Sequence, residues 1–175
     1  MINTNVIGAC LLLSLSTVAQ ATLISESEPN DTFATGQLVG QHDGSLDITG
    51  GISGSDDIDY FRFQGEEGDV IRLETFNLGG SFDSIIALFN ASGTQLSLND
   101  DSSGASCNTC SRIVNYALPS SGLFGAYVDG FSTSSFNYRL EIRGLTPMSA
   151  VPEPATLALL GLGLAGLAAA RRRKL

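Results

Sequence analysis

Between Asp56 and Gly144 apolar residues recur at every second position, and turn-forming residues interrupt them at short intervals. That period belongs to strands with one face turned to a core. In Asp59–Gln64 it predicts Phe61 and Phe63 inward, with Tyr60, Arg62 and Gln64 outward. Val70–Phe76 sets Ile71, Leu73 and Thr75 against Arg72 and Glu74. Ser84–Phe89 is a more continuous apolar run, which predicts a strand covered on both faces. Asn90–Gly93 then turns the chain. Val114, Tyr116 and Leu118 are expected on one face of the next strand, which Pro119–Gly122 ends. Phe124, Ala126 and Val128 follow at the same spacing, and Tyr138, Leu140 and Ile142 alternate with Arg139, Glu141 and Arg143. No stretch here sustains a helical period. The pattern predicts an all-β fold, an antiparallel β-sandwich spanning residues 22–144.

The two ends break the pattern. Val6–Leu15 is an apolar run followed by Ala19-Gln20-Ala21, a small-x-small cleavage site, so residues 1–21 read as a signal peptide cut by signal peptidase after Ala21. The first residues, MINTN, carry no Lys or Arg, and the apolar stretch before Cys10 is too short for a lipoprotein signal. Residues 145–150 show no period and read as a linker. Beyond the Pro152-Glu153-Pro154 triplet, Ala155–Ala170 is a 16-residue run without charge. As a helix it spans ~24 Å, short of the ~30 Å hydrocarbon core. The cations Arg171, Arg172, Arg173 and Lys174 would hold its end in the cytoplasm and leave the sandwich on the far side. Gly161–Gly166 matches G-x-G-x-x-G but follows no strand, so a dinucleotide site is rejected.

Charge narrows the partners. Residues 22–150 hold five bases against seventeen acids, a net −12, which repels phosphate backbones and excludes nucleic acid. Once Cys10 leaves with the signal peptide, Cys107 and Cys110 remain, and in an exported protein an even count favours their disulfide. A redox CxxC wants a helix N-terminus, and SSGASCNTCS reads as loop. The chain's one histidine, His42, lies in a turn without a nucleophile pattern and reads as a solvated loop residue. Catalytic residues are therefore expected to be absent, and a hydrolase is the third-ranked reading.

Two acidic stretches carry more. In Glu26-Ser-Glu-Pro-Asn-Asp31, Glu26 and Glu28 share a face of an extended chain, and Asn30 and Asp31 favour a turn. Gly51–Tyr60 is a glycine-rich bend with three aspartates before a strand. If the stretches meet, their carboxylates oppose one another's ionisation, and a hard cation relieves the conflict. Calcium takes six to eight oxygen ligands and suits such a set. Spacing alone leaves solvated acidic turns equally open.

Two family resemblances add to this. Val151-Pro152-Glu153-Pro154, the apolar run and the Arg171–Lys174 end closely resemble the PEP-CTERM sorting signal of exopolysaccharide-producing Gram-negative bacteria. That resemblance implies removal of residues 151–175 by an exosortase. It also implies transient anchoring in the inner membrane, then delivery to the cell surface or extracellular matrix. ESEPNDT, GISGSDDIDYFRF, FDSIIALFNASG, YALPSSGLF and NYRLEIRG together resemble the bacterial pre-peptidase C-terminal domain, a jelly-roll-like sandwich similar to clostridial collagen-binding domains. The CNTC loop is no part of that pattern. The resemblance implies calcium ligation by Glu26, Glu28, Asn30, Asp31, Asp56 and Asp59, with Asp57 as the solvated member. The leading functional expectation is an exported structural or adhesive module, with exopolysaccharide or a matrix protein as partner. The alternative is a binding module for a specific protein or glycan, with Tyr127 and Phe131 as exposed contact residues.

Overall fold

The computed structural model describes residues 23–40, 42–132 and 134–148. The signal peptide, 1–21, lies outside them, as do the sorting residues Val151, Pro152, Glu153, Pro154, Arg171, Arg172, Arg173 and Lys174 and the apolar run between. The described residues form the strands β1 (Leu23–Ser25), β2 (Gln37–Leu38), β3 (Ser45–Ile52), β4 (Asp59–Gly65), β5 (Val70–Gly80), β6 (Ser84–Asn90), β7 (Gln95–Asp100), β8 (Arg112–Ala117), β9 (Gly122–Gly130) and β10 (Phe136–Arg143). They make two five-stranded sheets, ordered β1-β3-β10-β5-β8 and β2-β4-β9-β6-β7. The all-β sandwich expected from the alternation is what forms.

Eight of these strands pair antiparallel, while β1 and β2 join their neighbours β3 and β4 in parallel. The N-terminal arm rises along β3, crosses one end of the sandwich and descends along β4. Both of its contacts are parallel because it shadows that pair. Each sheet is therefore mixed, a departure from the purely antiparallel expectation.

The period-two residues meet in the core. Phe61, Phe63, Ile71, Leu73, Phe124, Val128, Leu140 and Ile142 are buried between the sheets, and each contributes on the order of 1.5–3 kcal/mol by leaving water. Phe63 stacks on Phe124 with ring centres 6.1 Å apart. β6 is covered on both faces as expected: Ile86, Ala87 and Leu88 are all fully buried, and the outward Phe89 packs on Tyr60 at 5.6 Å. On the outer face of the first sheet, Glu141 pairs with Arg72, Arg139 and Arg143 at 2.7–3.3 Å. This ladder covers Glu74 and Glu141, which the alternation places outward.

Three local expectations are corrected. Val114 is 41% exposed, and Ile113 takes the core position in its place. Asn115 adopts a left-handed backbone (φ 54), and the β5–β8 register shifts between Ile71 and Leu73. A bulge of this kind resets the alternation. His42 is buried rather than solvated. Its Nδ1 accepts the Gly44 N–H at 3.3 Å, and its Nε2 meets the Gln64 carbonyl at 3.1 Å. The expected linker does not begin at residue 145, because Leu145 is buried and its N–H donates to Gly44 O at 3.2 Å.

Candidate metal centre

The arm is held at its crossing by backbone bonds. Glu26 N–H continues the β1 ladder to Thr49 O at 2.8 Å, and Tyr60 N–H donates to Asn30 O at 3.0 Å. The first bond ties the arm to β3 and the second to β4. Together they seat Glu26–Asp31 over the end of the sandwich where β4 begins, so the two acidic stretches do meet.

Backbone geometry shapes the floor of the site. Glu26 Oε2 accepts the Gly51 N–H at 2.7 Å. A Cβ on Gly50 would lie 2.5 Å from that oxygen and 2.5 Å from the Tyr138 hydroxyl, so only glycine allows the carboxylate this close to the strand. Asn30 N–H donates to Glu28 Oε2 at 2.9 Å, and Asn30 Nδ2 reaches Glu26 Oε1 at 3.5 Å. Asp59 Oδ2 accepts the Tyr138 hydroxyl at 2.5 Å.

Among the described residues, two buried side-chain oxygens have no partner. Asn30 and Asp59 are completely buried, yet Asn30 Oδ1 and Asp59 Oδ1 receive no hydrogen bond from those residues. Leaving such a group bare costs about 1–3 kcal/mol each. Oxygens of Glu26, Glu28 and Asp59 lie within 4.8 Å of one another, as do those of Glu28, Asp31 and Asp57. Burial, reinforced by Glu26, pushes the Asp59 carboxyl up to about 9 despite the Tyr138 hydrogen bond. Without a cation the site therefore holds a proton on Asp59 at neutral pH. Lost hydration and the neighbouring Glu26 and Asp31 also raise Glu28.

Of the residues expected as ligands, Glu26, Glu28, Asn30, Asp31 and Asp59 are brought together. Asp56, expected as a ligand, belongs to neither carboxylate group and lines the cleft that Glu28, Asp31 and Asp57 share. Asp57, expected to be solvated, is half-buried and belongs to the second group, and its Oδ2 also accepts the Ser53 N–H at 2.5 Å, which closes the bend. The sequence carried a signal for this, since Asp57 and Asp59 are two apart and share a face of an extended chain. Tyr138 carried no such signal; its period marks it only as core. The donors are all oxygen and mostly carboxylate, a set that suits a hard cation.

The other candidates resolve differently. Cys107 and Cys110 are bridged, with Cα atoms 4.9 Å apart, so neither sulfur is free to ligate a metal. The bridged loop is tied to the sandwich by Ser106 Oγ to Thr75 O at 3.1 Å and Thr109 Oγ1 to Phe82 O at 2.6 Å. Tyr127 is corrected from exposed contact to half-buried packing: its ring lies 5.2 Å from Tyr60, and its hydroxyl donates to Asp129. Phe131 is exposed as expected. A third carboxylate group joins Asp83, just before β6, to Asp100 and Asp101 at the end of β7, residues that lie apart in the sequence. It contains no buried, unpartnered oxygen.

The PEP-CTERM protein-sorting motif matches residues 150–174. The motif implies export, exosortase-dependent processing and transient membrane anchoring on the way to the cell surface. A probable subtilase-type serine protease of Deinococcus radiodurans is 34% identical over 101 residues, which cover 55% of this chain and 13% of the protease. The chain thus spans only a small part of that relative's length. The pre-peptidase C-terminal domain of a collagenase from Bacillus anthracis superposes with a TM-score of 0.50 at 16% identity, covering 67% of this chain and all of that domain. A periplasmic inhibitor of g-type lysozyme from Aeromonas hydrophila is more remote, with a TM-score of 0.39 at 14% identity over 71% of this chain and 98% of that one. This chain therefore carries a PEP-CTERM sorting motif behind a β-sandwich with the fold of a pre-peptidase C-terminal domain.

Proposed function

We propose that the protein is an exported, non-catalytic module whose sandwich is stabilised by calcium and which serves a structural or adhesive role at the cell surface or in the extracellular matrix. The pair of bare, buried oxygens, Asn30 Oδ1 and Asp59 Oδ1, carries the calcium reading. Both face a carboxylate-rich site that otherwise holds a proton. With Glu26, Glu28, Asp31 and Asp57 they offer the oxygen count that calcium requires. Bound there, the ion would join the arm to β4 and balance the acids.

The strands set the display. β10 runs from this site, at Tyr138, to Arg143, so the chain leaves the sandwich at the opposite pole, ~17 Å away at ~3.3 Å per residue. A molecule held by its tail would therefore point the carboxylate pole away from the membrane. Phe131, 51% exposed, lies in the β9–β10 connection at that same outward pole. It favours the second reading, a module for a specific protein or glycan. Saturable signal on a peptide or glycan array would separate that reading from a matrix role.

The test is thermal melting of the purified protein with calcium and with chelator. Binding to the folded state alone adds about 2.7 kcal/mol at a hundredfold excess over Kd. A melting temperature that calcium does not move refutes the reading.

A further inference from the structure

The sorting motif begins at residue 150, yet the sandwich keeps hold of the chain through Met148. Asp69 accepts both the Thr146 hydroxyl, at 2.7 Å, and the Thr146 N–H, at 3.0 Å. Leu145 N–H donates to Gly44 O at 3.2 Å and Met148 N–H to His42 O at 3.1 Å. Gly44 has φ +98, and a Cβ there would lie 2.9 Å from Leu145 O, so the turn admits the strap only as glycine.

We propose that residues 146–148, anchored by the buried Leu145, form a docked strap that restricts access to the sorting motif, so that the processing enzyme engages the chain only when the strap peels from the sandwich. This rests on the sorting reading above. From Met148 to Pro152 the chain reaches at most ~14 Å at ~3.3–3.6 Å per residue. An enzyme that binds an extended peptide through its main-chain hydrogen bonds needs those groups free. Only residues 149–151 separate Pro152 from Met148, whose N–H the docked strap commits to His42 O. The strap is also the part able to let go. β10 is paired on both edges, to β3 and β5, whereas Thr146, Pro147 and Met148 are exposed and held by a few separable bonds. Such a segment opens locally without global unfolding.

The experiment follows tail loss by intact mass after pulse labelling of the full chain in its native host. Three forms are compared: the natural chain, Thr146→Val, and a Gly-Ser-Gly-Ser insertion between Met148 and Ser149. Thr146→Val removes the hydroxyl donor and keeps the side-chain shape; the insertion leaves the strap and sandwich intact but lengthens the reach. Both are expected to shorten the half-life of the unprocessed form, Thr146→Val by roughly two- to tenfold, the shift in an opening equilibrium that one net hydrogen bond represents. Unchanged melting of the processed Thr146→Val protein shows that its sandwich is intact. Equal half-lives in all three overturn the strap while leaving sorting in place, and so does acceleration by the insertion alone. Retention of the tail in all three overturns the sorting reading and the strap with it.

Discussion

Asp59→Asn separates the two occupants proposed for the carboxylate site, a cation and a proton. The substitution keeps the side-chain volume and removes one charge. In chelator at neutral pH it should cost nothing, because Asp59 is already protonated there: burial and Glu26 push it up to about 9. The asparagine oxygen can keep the Tyr138 bond that Asp59 Oδ2 accepts at 2.5 Å, and its NH2 can donate toward Glu26. That NH2 takes the place of the protonated Oδ1, which already donates toward Glu26, so the exchange is close to neutral. With calcium the sign reverses. The natural protein gains about 2.7 kcal/mol at a hundredfold excess over Kd, roughly 8–16 °C in melting temperature for a domain of this size. The variant should lose most of that increment, because a buried carboxylate ligand is gone. Asp56→Asn, which stands outside both carboxylate groups, is the matched control and should keep the increment. Differential scanning calorimetry of the three proteins, each with calcium and with chelator, provides the comparison. A variant that keeps the full calcium increment, or that loses about 2 kcal/mol or more in chelator, would refute the reasoning.

Two further outcomes follow from the same geometry. In chelator, stability should fall as pH rises between about 4 and about 9. A folded-state pKa raised above the ordinary 3.8 to about 9 contributes stability that is complete below the lower value and lost on passing the upper one; urea midpoints across that range measure it, and a rising trend contradicts it. Replacing Cys107 and Cys110 together by serine should cost about 2 kcal/mol, since the bridge closes a very short loop; a loss beyond about 4 kcal/mol in thermal melting would mean that the loop does more than close.

What was legible beforehand divides by range. Phe61, Phe63, Leu140 and Ile142 could be placed because alternation is a local property and their strands are regular. Val114 could not, since the left-handed Asn115 resets the alternation, and asparagine in a strand gives no sign of when it will do so. His42 and Leu145 were misplaced for one reason: their burial comes from a contact between two segments a hundred residues apart. In the site, the acids are visible as residue types, whereas the meeting of arm and bend stands in the sequence only as a condition of the cation reading; the long-range backbone bonds from Glu26 N–H to Thr49 O and from Tyr60 N–H to Asn30 O bring it about. Which aspartate of the pair turns inward depends on the bend closed by Ser53 N–H on Asp57. Tyr138 entered unseen because a tyrosine in a core strand gives no hint of where its hydroxyl ends.

The central claim is that the two bare oxygens over β4 are calcium ligands. Crystals grown with calcium, measured for the ion's anomalous scattering, test it most directly. The account predicts a peak at coordination distance, ~2.3–2.6 Å, from both Asn30 Oδ1 and Asp59 Oδ1, with Asp57 nearer to it than Asp56. Crystals that contain calcium and show these two oxygens unligated would contradict it.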